Sequence, residues 1–302
     1  MADVLWINGR FTTTDEPVIH VEDRGFQFGD ALYEVFKFIG RRPVFLSEHY
    51  TRLEVGLAEI EITNPWSGRD DFAAMVQTLL ERTAFDDGIV YIQVSRGAGE
   101  RQHFYAEDLV PTAIAYSRRF RFPDGKKKEL GIRVITAPDL RWKQCQVKSV
   151  NLLANALAKK KAQRAGADEV LLIDDGLVRE GGSSNFFVVR RRHVITHPLD
   201  PHILPGVVRD HTIALALSAK IRVDERPLRE AELFDVDEAF ITSTTMGVMP
   251  VTAIDGRAIG NGRRGPVTEE LQRAFDLTET RNQKAETRTE SVASGHAEKA
   301  EG

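Results

Sequence analysis

Short apolar segments with the composition of β-strands alternate with helical segments along the second half of the chain. GIRVITA, DEVLLID and SNFFVVR have the β-branched and aromatic content of buried strands, and EAFITS follows later. Helical patterns separate them, one after Ser149 and one from about Gly206 to Lys220. Strands that alternate with helices predict an α/β or α+β domain.

The first third of the chain has a mixed pattern of its own. VLWING and GRFTTTDEP predict a hairpin, LYEVFKFIG and GIVYIQVSRG predict strands, and helices are expected over SEHYTRLEVGLAEIEI, capped at Ser47, and from about Asp70 to Thr83. The charged segment RRFRFPDGKKK then interrupts the pattern and contains the turn sequence Pro-Asp-Gly. We therefore expect a small N-terminal domain over residues 1–120, a linker over 121–128 and a larger domain over 129–278.

The last 24 residues differ in composition from the rest. From Glu279 to Gly302 the only large aliphatic side chain is that of Val292, and there is no aromatic side chain. Such a segment has little apolar surface to bury, so residues 279–302 are expected to be a disordered polar tail.

Charge and cysteine content exclude several classes of function. The formal net charge of −4, with 42% hydrophobic and 28% charged residues, argues against a nucleic acid or an anionic membrane as partner. The single cysteine, Cys145, cannot form an internal disulfide, and no Cys/His cluster has the spacing of metal ligands. The sequence MADVLWING lacks the pattern of a signal peptide, and no apolar run approaches a membrane span. We expect a cytoplasmic protein without a bound metal.

The most informative single residue is Lys148. Ser149 is placed to cap the start of a helix that ends at Gly166. Lys148 directly precedes that helix, and the partial positive charge at a helix N-terminus disfavours a protonated lysine there. Such a site favours the neutral amine that a Schiff-base lysine needs. The alternative is a solvated surface lysine. The buried helix face is expected to contain Val150, Leu153, Ala154, Leu157 and Ala158.

Other candidates have weaker individual signals. Glu180 stands at a strand end before the flexible GGSS turn, which could equally be a simple hairpin. Arg52 lies at the border of a buried helix face, where it either covers apolar surface or binds an anion. The helix start at Gly206 and Val207, and the hydroxyls of residues 242–245, could bind a phosphate.

Two further patterns could recognise a carboxylate. Arg101 and His103 point the same way if their loop is extended. Strand alternation likewise places Tyr33, Val35 and Lys37 on one face. A solvated surface would explain both patterns without any ligand.

Taken together, these stretches resemble the fold-type IV pyridoxal-phosphate enzymes, which include branched-chain aminotransferases, D-amino acid aminotransferases and aminodeoxychorismate lyases. The resemblance is strongest to the bacterial D-amino acid aminotransferases and spans Glu22 to about Gly256. It implies a small α/β domain and a larger domain with a barrel-like sheet and flanking helices. The matching stretches are EDRGFQFGDALYEVFK, EHYTRL, YIQVSRGAGERQHF, RWKQCQVKSVNLL, VREGGSSNFF, ILPGVVRD and ITSTTMGVMPVTAIDG.

The resemblance also implies a role for each candidate residue. Lys148 is the catalytic residue, which forms the Schiff base with pyridoxal 5′-phosphate and transfers the proton. Glu180 pairs with the pyridinium nitrogen. The remaining cofactor-binding residues are Arg52, Ser183, Leu204, Val207, Val208, Ser243 and Thr244, and the residues that bind the substrate are Tyr33, Val35, Lys37, Arg101, His103 and Thr245.

In the D-specific enzymes the Arg/His loop binds the substrate carboxylate and comes from the neighbouring subunit. The resemblance therefore implies a homodimer that transfers an amino group between a D-amino acid, such as D-alanine, D-glutamate or D-aspartate, and 2-oxoglutarate or pyruvate. An L-branched-chain aminotransferase and an aminodeoxychorismate lyase are the alternatives within this fold. Val208 departs from the family pattern, which has a phosphate-binding threonine there.

Overall fold

The computed structural model describes residues 4–13, 15 and 19–297, with side chains as far as residue 282. The chain forms two compact units. The first contains residues 1–121 and returns from residue 276 onward, and the second contains residues 122–275. None of the helices in the described part of the chain combines the length and apolar character needed to cross a bilayer.

The first unit is built on an antiparallel sheet of six strands in the order β2-β1-β6-β5-β3-β4. The expected hairpin at the N-terminus is present as the β1–β2 pair. Its strands are β1 (Val4–Ile7), β2 (Arg10–Thr13), β3 (Ala31–Ile39), β4 (Arg42–Pro43), β5 (Gly88–Ser95) and β6 (Thr112–Arg119), and its helices are α1 (Arg24–Phe28), α2 (Leu46–Glu59) and α3 (Arg69–Arg82).

Helices α2 and α3 pack on this sheet and enclose the core of the first unit. Alternation along β3 directs Phe36 and Phe38 into that core, where both are fully buried. The predicted cap at Ser47 is wrong. Helix α2 starts at Leu46 and is preceded by Phe45 in a left-handed conformation, without a side-chain capping bond.

The second unit is built on a ten-stranded mixed sheet in the order β12-β11-β10-β14-β15-β7-β8-β9-β13, with β16 paired to β15. Strand β7 runs parallel to both β8 and β15. The strands are β7 (Ile132–Pro138), β8 (Glu169–Asp174), β9 (Leu177–Gly181), β10 (Asn185–Arg190), β11 (His193–Thr196), β12 (Val223–Glu225), β13 (Leu228–Arg229), β14 (Glu238–Ser243), β15 (Gly247–Ile254) and β16 (Arg257–Ala258).

Helices cover this sheet. Helix α5 packs on β7 and β8, and α6 packs on β14 and β15. Helix α4 begins after Asp124, whose carboxylate accepts a hydrogen bond from the Lys127 amide, so the segment expected to be a linker is partly helical. The helices are α4 (Gly125–Leu130), α5 (Leu153–Arg164) and α6 (Val207–Ser218), with a short 3₁₀ helix at Glu230–Glu232.

The start and the buried face of α5 differ from the prediction. The helix begins at Leu153, because Ser149 lies in a tight turn and its hydroxyl accepts hydrogen bonds from Asn151 instead of capping a helix. Leu153 and Leu157 are 74% and 62% exposed in this chain, whereas the buried side chains are Ala158 and Ala162. The apolar spacing was therefore correct for a helix, but the side of the helix that packs on the sheet is lined by alanines.

The segment expected to be a disordered tail has helical backbone over most of its described length. Helix α7 runs from Pro266 to Ala297, so the backbone is helical well beyond Glu279, and only residues 298–302 lie outside the described part of this segment. Two contacts of the first unit hold it. Glu279 forms a buried ion pair with Lys37, and the side-chain oxygen of Asn282 accepts a hydrogen bond from the Phe45 amide at 2.8 Å. Composition misses these contacts because they are polar and specific.

Candidate active site

Lys148 lies in the irregular connection between β7 and α5 and is half-buried. The first residue of α5 is Leu153, five residues further along the chain. The physical reason proposed for Lys148, a position directly at a helix N-terminus, is therefore wrong, because the macrodipole effect falls off within one turn. What the structure provides instead is a short, turn-rich segment, in which the amides of Ser149 and Leu152 donate to carbonyls two residues earlier.

Glu180 is a buried carboxylate near the end of β9, with 5% of its surface exposed. Its Oε2 accepts hydrogen bonds from Asn185 Nδ2 at 3.0 Å and from the Leu204 amide at 3.1 Å, and its Oε1 pairs with Arg141. Burial raises the pKa of Glu180 to about 7, although Arg141 opposes that shift. The site thus contains an acid that can change its protonation state near neutral pH.

Arg141 and Asn185 are site residues that the sequence reasoning missed. Arg141 is itself held by Asp139, whose carboxylate accepts from its Nε at 2.9 Å and Nη2 at 2.7 Å. Both residues lie inside stretches that match the family pattern, RWKQCQVKSVNLL and VREGGSSNFF. Their motif membership was the available signal, but only the fold shows that both contact Glu180.

The turn after Glu180 is held by a second buried acid, Glu169. The Ser183 and Ser184 hydroxyls donate to Glu169 Oε2 at 3.2 and 3.3 Å, and Lys159 Nζ lies 3.0 Å from Glu169 Oε1. The Ser183 hydroxyl, which we assigned to the cofactor, is thus engaged with protein.

The N-terminus of α6 is coupled to Glu180 through Asn185. The same Asn185 Nδ2 that donates to Glu180 also donates to the Leu204 carbonyl at 2.9 Å. Gly206 precedes the helix, and a Cβ built there would overlap Asn185 Oδ1, so only glycine fits against this side chain. Val207 and Val208 are buried and begin the helix, where backbone N–H groups have no intrahelical partner and favour an anion.

The hydroxyl-rich turn lies at the end of β14. Ser243, Thr244 and Thr245 are half-buried, and the Ser243 hydroxyl accepts a hydrogen bond from the Met246 amide at 3.2 Å. Thr242 is opposite Asn185 in the sheet. Its hydroxyl is buried and has no hydrogen-bond partner in the described part of the chain, which is the condition expected of a group that a ligand satisfies.

In the first unit, Arg52 binds a buried acid. Its Nε and Nη2 donate to the two carboxylate oxygens of Glu34 at 3.0 and 2.5 Å, and His49 Nδ1 lies 3.2 Å from Glu34. Burial opposes ionisation of Glu34, but Arg52 and His49 outweigh it and hold the pKa of that carboxyl well below its usual range. Arg52 is therefore oriented by an ionised partner that the sequence reasoning did not identify.

Tyr33, Val35 and Lys37 share one face of β3. The Tyr33 ring stacks on Tyr91 of the neighbouring strand, with ring centroids 5.8 Å apart. Lys37, which we assigned to the substrate, is buried and paired with Glu279.

Arg101 and His103 are exposed on the loop between β5 and β6 and lie beside the same aromatic ring, that of Phe28. The Arg101 guanidinium carbon is 5.2 Å from the ring centroid, and the two ring centroids of Phe28 and His103 are 5.8 Å apart. No group of metal-binding side chains occurs among the described residues.

Comparison with known proteins assigns the family. The class IV amino-transferase model matches residues 31–254. The chain is 41% identical to a D-alanine aminotransferase of Bacillus licheniformis, covering 90% of this chain and 97% of that protein. Among solved structures it resembles the branched-chain amino acid aminotransferase of Escherichia coli (TM-score 0.84, 24% identity, covering 92% of this chain and 95% of that one). It also resembles a T.th. branched-chain amino acid aminotransferase solved with pyridoxamine 5′-phosphate (TM-score 0.82, 24% identity, covering 93% and 95%).

The residues of the second unit fit the cofactor of that family. A buried acid suits a pyridine nitrogen, the start of α6 and the turn after β14 offer donors to a phosphate, and Thr242 has a buried hydroxyl that lacks a partner among the described residues. The chain belongs to the class IV aminotransferases, has the fold-type IV architecture and uses pyridoxal 5′-phosphate.

Proposed function

We propose that the chain transfers an amino group between a D-amino acid and a 2-oxo acid in a ping-pong reaction. The amino donors are of the D-alanine, D-glutamate or D-aspartate type, and the acceptors are 2-oxoglutarate or pyruvate. The observation that carries the proposal is the Arg101 and His103 pair. Among the described residues Arg101 has no carboxylate partner, so its guanidinium is available for a substrate carboxylate.

Bound pyridoxal phosphate supplies the electron sink for the negative charge that develops at the substrate Cα. Lys148 would bind the cofactor through its side-chain amine and would move the proton to and from that carbon. Glu180 would keep the proton on the ring nitrogen, and the low-dielectric surroundings that raise the pKa of Glu180 would strengthen that hydrogen bond. The phosphate would be held by Ser243, Thr244, the amides of Val207 and Val208 and, by the family resemblance, Arg52. Ser183 and Leu204 would contribute to the cofactor site of the same unit.

Handedness follows from the side on which the carboxylate is bound. Arg101 and His103, with the hydroxyl of Tyr33, would fix the α-carboxylate, while Val35 and Thr245 would contact the rest of the substrate. Lys37 shares the face of Tyr33 and Val35, but its ammonium group is paired with Glu279 and would not reach the substrate directly. Lys148 would take the Cα proton from one side of the cofactor only. The position at which the carboxylate is bound therefore decides which enantiomer directs its Cα–H towards Lys148.

We further infer that the enzyme is a cytoplasmic homodimer in which Arg101 and His103 act at the neighbouring subunit's site. Their exposure on a loop that also carries Phe104, with 76% of its surface exposed, supports an interface there. The free thiol of Cys145 is consistent with a reducing compartment.

The decisive experiment is a panel of D-alanine, D-glutamate, D-aspartate and L-leucine with 2-oxoglutarate or pyruvate. D-amino acids should be consumed only when an acceptor is present. The Lys148→Ala protein should lose both the yellow colour and the activity. Exclusive use of L-leucine would indicate a branched-chain enzyme, and turnover without any 2-oxo acid would indicate a lyase.

A further inference from the structure

A buried cation, Arg24, lies behind the loop that carries Arg101 and His103. It belongs to α1 and is 4% exposed. Its Nη1 donates to the carbonyl oxygen of Gln102 at 2.7 Å, and its Nη2 donates to the carbonyl oxygen of His103 at 3.4 Å. One planar guanidinium therefore holds two consecutive carbonyls of the Arg-x-His segment, which a lysine could not do in the same way.

Asp30 determines how Arg24 is oriented. The Nε of Arg24 donates to Asp30 Oδ2 at 2.8 Å, and Arg96 binds the same carboxylate at 2.8 and 3.1 Å. Burial opposes ionisation of Asp30, but its bonds to Arg96 and Arg24 outweigh burial and lower its pKa. With its Nε fixed by an ionised partner, Arg24 directs its two terminal nitrogens to the loop.

Phe28 connects Arg24 to Arg101 and His103, the two side chains proposed to bind the substrate carboxylate, which together form the carboxylate clamp. The guanidinium carbon of Arg24 is 4.5 Å from the Phe28 ring centroid, and that of Arg101 is 5.2 Å from the same centroid. His103 meets the ring edge to face. An aromatic ring attracts a cation without neutralising it, so Phe28 can hold Arg101 in place and leave its charge available to a ligand.

We infer that Arg24 is a positioning residue for substrate binding, because with Asp30 and Phe28 it holds the backbone at Gln102 and His103 so that Arg101 and His103 present their donors to one carboxylate. The inference rests on the proposed function. It concerns the α-carboxylate that all amino and 2-oxo acid substrates share. Loss of Arg24 therefore weakens the binding of every substrate by a similar factor, whatever the substrate's side chain.

The test uses the Arg24→Lys holoenzyme, in which the charge beside Asp30 is kept and the two-carbonyl grip is lost. In single-turnover reactions the apparent Kd for D-alanine should rise about tenfold, since a tenfold change corresponds to about 1.4 kcal/mol, the size of one hydrogen bond's net contribution. The limiting rate should fall by much less. The inhibition constant of propionate, a carboxylate without an amino group, should rise in parallel with the Kd.

Arg96→Lys is the matched control. Arg96 binds the same Asp30 carboxylate, and its guanidinium carbon lies 3.6 Å from the ring centroid of Tyr105. Its other donors reach the carbonyls of Ile60 and Glu61, and not those of Gln102 and His103 that Arg24 holds. Its effect on the Kd for D-alanine should be within about twofold. Hydrogen exchange should increase at the amides of residues 101–103 in Arg24→Lys and much less in Arg96→Lys.

A double-substitution cycle separates this inference from the proposed function. If Arg24 acts through Arg101, Arg24→Lys adds little to the Kd in an Arg101→Met background. If Arg101→Met raises the Kd and Arg24→Lys does not, or if the two effects are fully additive, the inference is overturned and the clamp stands. If Arg101→Met leaves the Kd unchanged, the clamp itself is wrong. Phe28→Leu, which keeps the hydrogen bonds of Arg24, should also raise the Kd for D-alanine. This variant replaces Arg24→Lys in the test if Arg24→Lys does not fold.

Discussion

Replacing Glu180 by glutamine should change how the stability of the cofactor-free protein depends on pH. Burial raises the pKa of this carboxyl from 4.5 to about 7. The folded state thus favours the protonated form. The stability that this preference contributes is fully present below pH 4.5, the unfolded pKa, and is lost as the pH rises towards 7. At about 1.4 kcal/mol per pKa unit the loss amounts to about 3 kcal/mol.

The assay is urea unfolding of the wild type and of Glu180→Gln, both without cofactor, at several pH values between 4.5 and 8. Glutamine cannot ionise, so the stability of the variant relative to the wild type should increase by about 3 kcal/mol across this range. A constant offset at all pH values would only report the altered contacts with Arg141 and Asn185. A difference that does not change with pH would therefore refute the assignment of a raised pKa to Glu180.

Two further substitutions test contacts described above. Gly206→Ala places a Cβ against Asn185 and should lower the free energy of unfolding by about 1–3 kcal/mol. The variant should also lose the yellow colour of the cofactor more readily on dialysis. Ala214→Gly, further along α6, should leave colour retention intact. Glu279→Gln leaves Lys37 as a buried cation without its acid and should cost about 3 kcal/mol in urea unfolding, most of which Lys37→Met in the same chain should restore. An equal loss in the single and the double variant would show that the ion pair is not the cause.

Local patterns predicted most of the elements because their signals lie within a few residues. The period of two in β3 and the apolar segments of β8, β10 and β14 identified strands at the right places, and the family resemblance indicated a class IV aminotransferase. The hydrophobic pattern placed Ala158 on the buried face correctly, but it could not show that Ala162 is buried and that Leu153 and Leu157 are exposed. Which face of α5 is buried depends on how closely its backbone approaches β7 and β8, and small residues permit the closest approach.

The partners of the site residues were the least predictable part. Glu34 and Arg52 are 18 positions apart, and Arg141 and Glu180 are 39 positions apart, so no spacing rule relates them. The reasoning about Lys148 failed for a related reason. A serine before an apolar period predicts a capped helix, but here the Ser149 hydroxyl accepts from Asn151 two residues on, and this local turn delays the helix.

The first unit is discontinuous in the chain, since its last segment follows the second unit in the sequence. This segment is therefore synthesised after the whole second unit. The native contacts of Lys37 with Glu279 and of the Phe45 amide with Asn282 can therefore form only after that segment has been synthesised. A fragment that stops at residue 121 would retain every strand of the six-stranded sheet but would lack the carboxylate that pairs with Lys37. Truncations that remove Glu279 and Asn282 should accordingly destabilise the N-terminal part of the protein, about 240 positions away in sequence.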